Sequence, residues 1–465
     1  MSMVKLRNHT SRNGFDLSKR NAFTAKVGEL LPVNVIEVIP GDKVKGRVQH
    51  FTRTQPINTA AYTRIREYYD WYFVPTNLLW NKFNSFVTQM TSNTQHAASI
   101  TTDQTIPTSH PYFTFSQVAS YINSMNQSGD ANYNMFHFNR AQLSVKLLQY
   151  LGYGKFDTAL GTASDFYREN VNLNPFPLLA YQKIYQDYYR DSQWESSSAR
   201  SYNVDYLTGQ TSGGPQIPVS QLYANNSIAS TYNMFDLRYA NWNKDLFMGL
   251  LPSAQYGDSA SIIPDSIASN SVLPYTFTTS SSLANGSNVQ VQSLSGTSNV
   301  RLQSGTTTLS NLSLSSPAVK TLSQSLGLSF SILALRQAEA LQKWKEITQS
   351  QQQDYKSQIE AHFGVSMSNA YSERCLYVGG SASNLDISEV TNTNITGSYA
   401  SNIAGKGVGV GDGSFDFTSD VHGYLICIYH ARPLLDYSIT GVTRTNLKTT
   451  PTDYAIPEFD RTGMV

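Results

Sequence analysis

Several carboxylates in this sequence occur in pairs, the pattern that acid–base catalysis of glycoside hydrolysis requires. Asp187 and Asp191 lie four residues apart, and Glu458 and Asp460 lie two apart. One acid of such a pair donates a proton and the other acts as base or nucleophile, while aromatic rings stack on the sugar. With 29 Tyr in the chain, a carbohydrate-binding or glycoside-hydrolysing β-protein is one candidate. Basic residues flank the first pair, however, and a solvated ion-pair face on a helix explains it more simply.

The other residue types with catalytic or binding chemistry give weaker signals. The segment GKGVGVGDG (405–413) is similar to a phosphate-binding loop, but it opens no apolar-periodic helix and lacks Gly-Lys-Ser/Thr, which favours a flexible hairpin tip. The eight histidines show no metal-site spacing. Cys375 and Cys427 lie in apolar stretches, which predicts buried thiols and leaves a bond between them open. We expect no catalytic, cofactor or metal site.

Basic residues are concentrated at the amino terminus. The formal net charge is +1, so the whole molecule exerts no long-range attraction on nucleic acid or membranes. Residues 1–28 nevertheless form a basic arm with one acidic residue. Its candidate DNA-facing residues are Lys5, Arg7, Arg12, Lys19, Arg20 and Lys26. Cations beside aromatic rings are also typical of single-stranded DNA-binding proteins that act outside any particle, a further alternative.

The segment REYYDWYFVP (66–75) is predicted to be a β-strand because apolar and polar residues alternate along it. One face carries three aromatic rings, which are Tyr69, Trp71 and Phe73. Glu67 is the one misfit on that face. We predict that the rings pack between two sheets as core or interface anchors, leaving Arg64 and Arg66 for a neighbouring element or subunit.

Two segments have helical periodicity. Residues 177–190 are predicted to form an amphipathic helix with Asn174 near its start. Residues 319–364 are predicted to be helical, with an interruption at the Gln-rich run 349–353 and an end at Gly364. Their apolar residues are expected to form one stripe, comprising Leu328, Ile332, Leu335, Ala338, Leu341, Trp344 and Ile347. The candidate anchors on these helices are Tyr181, Tyr185 and Trp344.

Strand-like segments at both ends of the chain, separated by long connections, indicate a mainly β domain with two sheets. The first strands are expected within 29–93 and the returning strands within 365–465. Large inserted loops occupy 94–255. Residues 256–318 are rich in Ser, Thr and Asn and contain few large apolar residues, which predicts a surface insertion rather than a domain with its own core.

Eight collinear segments together resemble the major capsid proteins of the Microviridae, small tailless single-stranded DNA bacteriophages, on the gokushovirus-like side. The segments are FTAKVGELLPV (23–33), FTRTQPINTAAYTRIREYYDWYFVPTNLLW (51–80), LLAYQKIYQDYYRD (178–191), LRQAEALQKWKEITQ (335–349), IEAHFGV (359–365), YVGGSASNLDISEV (377–390), HGYLICI (422–428) and IPEF (456–459). Each motif alone has modest specificity, but their order and spacing make the set specific.

The resemblance implies an eight-stranded antiparallel viral jelly-roll β-barrel with long inserted loops and a few helices. It implies a coat protein without enzymatic activity that self-assembles into a small icosahedral shell enclosing a circular single-stranded DNA genome. Residues 256–318 become a candidate for the protrusion at the threefold axes. The relatives continue beyond the IPEF segment, so we expect either a different closure of the barrel or a sequence that is truncated at Val465.

The resemblance also implies partners and a location. The partners would be further copies of the chain, an internal scaffolding protein, a DNA-pilot protein, a small basic DNA-binding protein, the genome and a host cell-surface receptor. The protein would reside in the virion after assembly in the cytoplasm of the bacterial host. A separate basic protein would account for the near-neutral charge of this chain.

Overall fold

The computed structural model describes residues 13–56, 64–88, 109–125, 140–154, 156, 171–196, 199–205, 217, 234–245, 249, 251–253, 255–261, 276–278, 290–293, 300–304, 307–308, 313–315, 332–369, 372–391, 403–437, 441–454 and 456–457. The chain divides into two units. Unit 1 comprises Met1–Pro252 and Gln352–Ile456, and unit 2 comprises Ser253–Gln351 and Pro457–Val465. None of the described helices combines the length and apolar composition needed to cross a lipid bilayer.

The strands are β1 (Leu31–Val38), β2 (Lys43–Arg53), β3 (Ile65–Pro75), β4 (Phe113–Thr114), β5 (Asn172–Leu173), β6 (Thr276–Thr278), β7 (Gln290–Ser293), β8 (Val300–Ser304), β9 (Thr307–Thr308), β10 (Ser313–Ser315), β11 (Leu376–Thr391), β12 (Ile403–Thr418) and β13 (Gly423–Pro433). The helices are α1 (Phe83–Thr88), α2 (Phe115–Met125), α3 (Arg140–Tyr150), α4 (Phe176–Ile184), α5 (Ile332–Ser350), α6 (Tyr355–Phe363) and α7 (Arg444–Leu447). A π-helical turn, Tyr185–Tyr189, continues α4 directly.

Unit 1 is built on a six-stranded antiparallel sheet with the order β1-β13-β3-β11-β12-β2. Strands from both ends of the chain contribute to this one sheet, three from residues 31–75 and three from residues 376–433. Strand β13, between β1 and β3, reads GYLICIYHARP and is buried along most of its length. Its near-continuous apolar sequence is typical of a strand that is covered on both faces.

The sheet curls because β11 and β12 are long strands whose two halves pair with different partners. The first part of β11 pairs with β3 and the second part with β12, and Leu385 pairs with both Ile65 and Gly409 where the partner changes. The remainder of β12 pairs with β2. Two layers of the curled sheet therefore face each other, and Trp71 of β3 lies 4.7 Å from Phe415 of β12 between ring centroids. Phe73 packs against Phe417 in the same way at 4.9 Å.

The opposite face of β3 is covered by α4 and the π-helical turn. Tyr72 packs there against Tyr188 and Tyr189, with ring centroids 4.8 and 6.0 Å apart. The predicted helix is present, and the Asn174 side chain accepts a hydrogen bond from the Phe176 amide at its start. The predicted amphipathic character is wrong, because every residue of α4 except Pro177 is buried. A helix in the interior needs no polar face.

The glycine-rich segment 405–413 is not a hairpin tip, contrary to the prediction from its composition. It lies within the 16-residue strand β12. Lys406, Val408 and Val410 point outward and are exposed, while the alternating glycines point inward. A Cβ atom at Gly409 would collide with the Glu67 carboxylate, and one at Gly411 with the His50 ring. Gly409 thus permits the close approach of the two layers, and Gly411 leaves room for the His50 ring of the adjacent strand β2.

Unit 2 contains α5 and two small antiparallel sheets, β6 with β10 and β7-β8-β9. The short strands fall within the Ser/Thr-rich insertion. Helix α5 ends at Ser350, before the separate helix α6 begins, so the Gln-rich run interrupts the helical segment as predicted. Gly364 ends α6 with a left-handed φ of 67°.

The predicted single stripe on α5 is wrong. A spacing of three residues advances about 300° around a helix, so residues at that spacing wind around it. Four residues of the predicted set are at least 46% exposed, namely Ile332 at 71%, Leu335 at 53%, Trp344 at 48% and Leu341 at 46%. Leu328 lies outside the described residues.

Candidate functional site

The inner face of β3 holds a buried carboxylate at Glu67. Tyr429 donates a hydrogen bond of 2.8 Å to Glu67 Oε1. His50 Nε2 lies 3.9 Å from Glu67 Oε2 and 2.8 Å from Ser383 Oγ, and the His50 ring stacks on Tyr69. Burial lowers the pKa of His50, and the Glu67 carboxylate only partly opposes this shift. The cluster joins β2, β3, β11 and β13 through polar groups inside an aromatic core.

The outer face of β3 holds a second, partly buried cluster, centred on Asp70. The Asp70 carboxylate lies 3.3 Å from the Tyr377 hydroxyl and 3.5 Å from that of Tyr189. Tyr189 also lies 3.4 Å from His430 Nδ1. Burial raises the pKa of Asp70 to about 6. Burial, with the charge of Arg432 acting in the same direction, lowers the pKa of His430 to about 3, so this imidazole is neutral at pH 7.

The Glu67 cluster is closed to solvent, whereas the Asp70 cluster is partly open, because Asp70 is half-buried and Tyr377 is 46% exposed. Glu67 and His430 have no exposed surface. An acid–base group must come within hydrogen-bond distance of the substrate proton that it transfers. Asp70 and His430, whose pKa values burial shifts, instead make the stability of the fold depend on pH.

The first acid pair of the sequence is engaged in the structure of unit 1. Asp187 accepts from Lys183 Nζ at 3.0 Å and from the Cys375 amide at 2.9 Å. Asp191 accepts from the Gln193 amide at 3.1 Å and lies 3.3 Å from Lys244 Nζ. Glu458 and Asp460 lie outside the described residues. Asp187 therefore links the π-helical turn to Cys375, next to β11, and Asp191 links its own loop to Lys244.

The two cysteines are buried free thiols, as their apolar surroundings predict. Burial raises the pKa of both thiols, so neither is an activated nucleophile. Within the described parts of the chain, His, Cys, Asp and Glu form no cluster suited to a metal ion.

The described part of the basic arm is extended and exposed, without helix or strand from residue 13 to residue 26. Asn21 donates a hydrogen bond to the Val33 carbonyl, and the Phe23 ring packs edgewise on Tyr150 and Tyr429. Of the candidate DNA-facing residues, Lys19, Arg20 and Lys26 are exposed on this arm. Lys5, Arg7 and Arg12 lie outside the described residues.

The candidate anchors are placed in two kinds of environment. Those in unit 1 are buried, and they are Tyr69, Trp71, Phe73, Tyr181 and Tyr185. Tyr181 donates to the Leu30 carbonyl and Tyr185 to the Glu195 carboxylate. Trp344, in unit 2, is 48% exposed.

Sequence reasoning missed both polar clusters, although two signals were available. Glu67 interrupts the apolar face of its strand. A charged side chain on a face that packs into the core must be buried, and a buried charge requires a partner. His430 lies within the apolar strand β13, where a buried histidine also requires partners. The partners themselves come from strands far away in sequence.

The described part of unit 1 thus combines facing sheet layers joined by aromatic packing, two polar clusters and an exposed arm. The chain belongs to the capsid protein (F protein) family, whose model matches residues 2–139 and 156–463. The resemblance to Microviridae capsid proteins and the function of a major capsid protein are therefore confirmed.

Two viral relatives agree with this assignment. Capsid protein VP1 of Chlamydia phage 1 is 26% identical over 499 residues, covering 97% of this chain and 76% of that protein. Capsid protein VP1 of Bdellovibrio phage phiMH2K is 24% identical over 184 residues, covering 39% of this chain and 26% of that protein.

Proposed function

We propose that this chain forms a small icosahedral shell around a circular single-stranded DNA genome and acts by assembly rather than catalysis. The observation that supports this most strongly is the family match over nearly the whole chain. The exposed arm and the large exposed apolar residues of the described chain suit a protein whose surface is covered by neighbouring copies.

We further propose that the curled sheet is part of an eight-stranded jelly roll. A jelly roll consists of two facing sheets joined by Greek-key connections. The order β1-β13-β3-β11 in one layer and β12-β2 in the other is compatible with it. The two further strands would come from the chain between β3 and β11. An experimental density map in which β12 pairs with such a strand would support the proposal, and a map with β12 at an open edge would contradict it.

We also propose that the chain has the partners that its resemblance to Microviridae capsid proteins implies. The support is the family match together with the distribution of charge, because an exposed basic arm suits contact with the genome. The internal scaffolding protein, the DNA-pilot protein, the small basic DNA-binding protein and the receptor come from the resemblance. So do the protrusion formed by residues 256–318 and assembly in the host cytoplasm before residence in the virion.

The decisive experiment is expression of the chain with its scaffolding protein, followed by negative-stain electron microscopy. Closed particles of uniform diameter are the expected result. Subunits that remain monomeric at high concentration with the scaffold present would contradict the proposed function.

A further inference from the structure

Two arginines lie directly opposite each other on the outer face of the six-stranded sheet. Arg66 of β3 pairs in register with Arg432 of β13. Both guanidinium groups lie over the ring of Tyr68, at 5.5 and 5.1 Å from its centroid. Like charges directly opposite each other on neighbouring strands destabilise a sheet unless an anion neutralises them.

The chain does not supply that anion among its described residues. Neither guanidinium has a carboxylate within ion-pair distance there. Arg432 donates only to the Asn241 carbonyl, at 3.3 Å, and its Nε is buried without a hydrogen-bond acceptor. Asp70 is close enough for Arg432 to lower its pKa, but burial dominates and Asp70 directs its oxygens to tyrosine hydroxyls.

The surroundings of the two arginines form a row of hydrogen-bond donors. Asn384 of β11 pairs in register with Arg66 on the side opposite Arg432. Arg432, Arg66 and Asn384 therefore stand side by side on three adjacent strands, which lie about 4.8 Å apart. Arg66 and Asn384 are exposed.

Two stacked rings, Tyr68 and His430, lie in the next row of side chains and pack against the two arginines. Tyr68 stacks on His430 with ring centroids 4.7 Å apart and an interplanar angle of 10°. His430 Nε2 is a second buried polar atom without a hydrogen-bond partner. The stacked rings hold the guanidinium groups in place, which reduces the conformational entropy lost on binding.

We propose that Arg66 and Arg432 form an anion-binding site that takes a carboxylate from a second copy of this chain when subunits associate. The inference rests on the proposed assembly function. Arg offers a planar fork that binds a carboxylate through two hydrogen bonds, and it is the preferred cation in protein interfaces.

The local charges favour a single carboxylate over a nucleic acid. The nearby Arg64 already pairs with Asp436, and Asp386 is exposed further along the outward row of β11. This surface is therefore not the continuous run of cations that binds a chain of phosphates. Tyr68 has rings or guanidinium groups packed against it, so it offers little open surface on which a base could stack.

The test compares shell assembly by the full chain and by Arg66→Gln and Arg66→Gln/Arg432→Gln variants. Subunit melting and the concentration at which shells form are measured at low and high salt. We expect unchanged or higher melting temperatures, because a like-charge contact is removed. We also expect about a tenfold rise in the assembly concentration and a weaker salt dependence, consistent with the loss of an interfacial ion pair.

The matched control is Arg47→Gln, which removes an exposed arginine of the same sheet that pairs with Asp412 of its own chain. It should leave the assembly concentration unchanged. Because Arg66 is exposed, we expect the single variant Arg66→Gln to fold, and it keeps the test valid if the double variant does not. A density map of the shell with a neighbouring carboxylate between the two guanidinium groups would support the proposal directly.

Other outcomes overturn the proposal in distinguishable ways. Shells formed by both variants at the wild-type concentration overturn this contact and leave the capsid function intact. Normal numbers of shells with reduced DNA content would assign the site to nucleic acid instead. A wild-type chain that forms no shells overturns the assembly function and this contact with it.

Discussion

Glu67 and Asp70 lie three residues apart on β3, so their side chains leave opposite faces of the strand and enter two separate polar clusters. Glu67 accepts from Tyr429 on the inner face, and Asp70 lies against tyrosine hydroxyls on the outer face. A single strand thus carries one fully buried carboxylate, Glu67, and one half-buried carboxylate, Asp70. Burial raises the pKa of Asp70, which makes the stability of this protein dependent on pH.

Asp70→Asn is expected to stabilise the subunit at alkaline pH. The pKa of Asp70 is raised from 3.8 to about 6 in the folded protein, so this carboxyl favours folding below pH 3.8 and loses that contribution as the pH rises through 6. Since one pKa unit corresponds to about 1.4 kcal/mol, the ionised group costs up to about 3 kcal/mol at pH 8. The asparagine variant should therefore have a higher free energy of unfolding in urea at pH 8.

The pH series is the control for this prediction, because the advantage of the variant should shrink towards pH 4. Asp412→Asn is a matched exposed substitution, since the pKa of Asp412 is lowered by Arg47 rather than raised. It should not stabilise the protein at pH 8. Lower stability of Asp70→Asn at pH 8 would show that the bonds from Tyr377 and Tyr189 outweigh the cost of burying the charge.

Trp71→Ala is expected to reduce the free energy of unfolding by about 3–5 kcal/mol, as for removal of a large buried aromatic side chain. The ring is 5% exposed and packs on Phe415 between the sheet layers. Urea denaturation of the purified subunit measures the effect. Trp242→Ala is the control, because that side chain is 54% exposed. Equal melting of the wild type and Trp71→Ala would exclude the ring from the core.

The alternation of residues predicted β3 correctly because a strand has a period of two and its inner face meets an apolar layer. It did not predict that Tyr72, on the face expected to be polar, would be buried beneath Tyr188 and Tyr189. That burial depends on where α4 docks, and docking is a property of the tertiary structure. The same docking buries every residue of α4 except Pro177, so the helix is not amphipathic.

The glycine-rich segment shows why composition misled the prediction of β12. A glycine at every second position has the period of a strand, but glycine also has a low intrinsic strand preference, so a loop was the simpler interpretation. Gly409 and Gly413 face the opposite layer, which approaches too closely for side chains, and Gly411 faces the His50 ring of the adjacent strand β2. The polar clusters were missed for the same reason, since His50 and Glu67 meet only after β2 has folded over β3.

Gly413→Ala is expected to destabilise unit 1 by about 1–3 kcal/mol, the range for overpacking a core. A Cβ atom at this position would lie 2.6 Å from the Cβ of Ser381 and 3.1 Å from the Gly380 carbonyl oxygen. Backbone would therefore have to move. Gly441→Ala is the matched control, because nothing lies within 4 Å of its added Cβ. Equal thermal unfolding of the two variants would contradict the close approach of the layers.

Neutralising the exposed arm tests its proposed contact with the genome. Lys19 and Arg20 lie in its extended, exposed part. If they bind phosphates, Lys19→Gln/Arg20→Gln particles should release DNA at lower salt, and the salt dependence of DNA retention should weaken by about one counterion per lost contact. DNA retained by purified particles is measured over a salt series, with Lys45→Gln as a control because Lys45 lies near Asp416. An unchanged salt series together with poor particle yield would instead assign the arm to contacts between subunits, where its exposed Phe15 and Leu17 would provide apolar contact area.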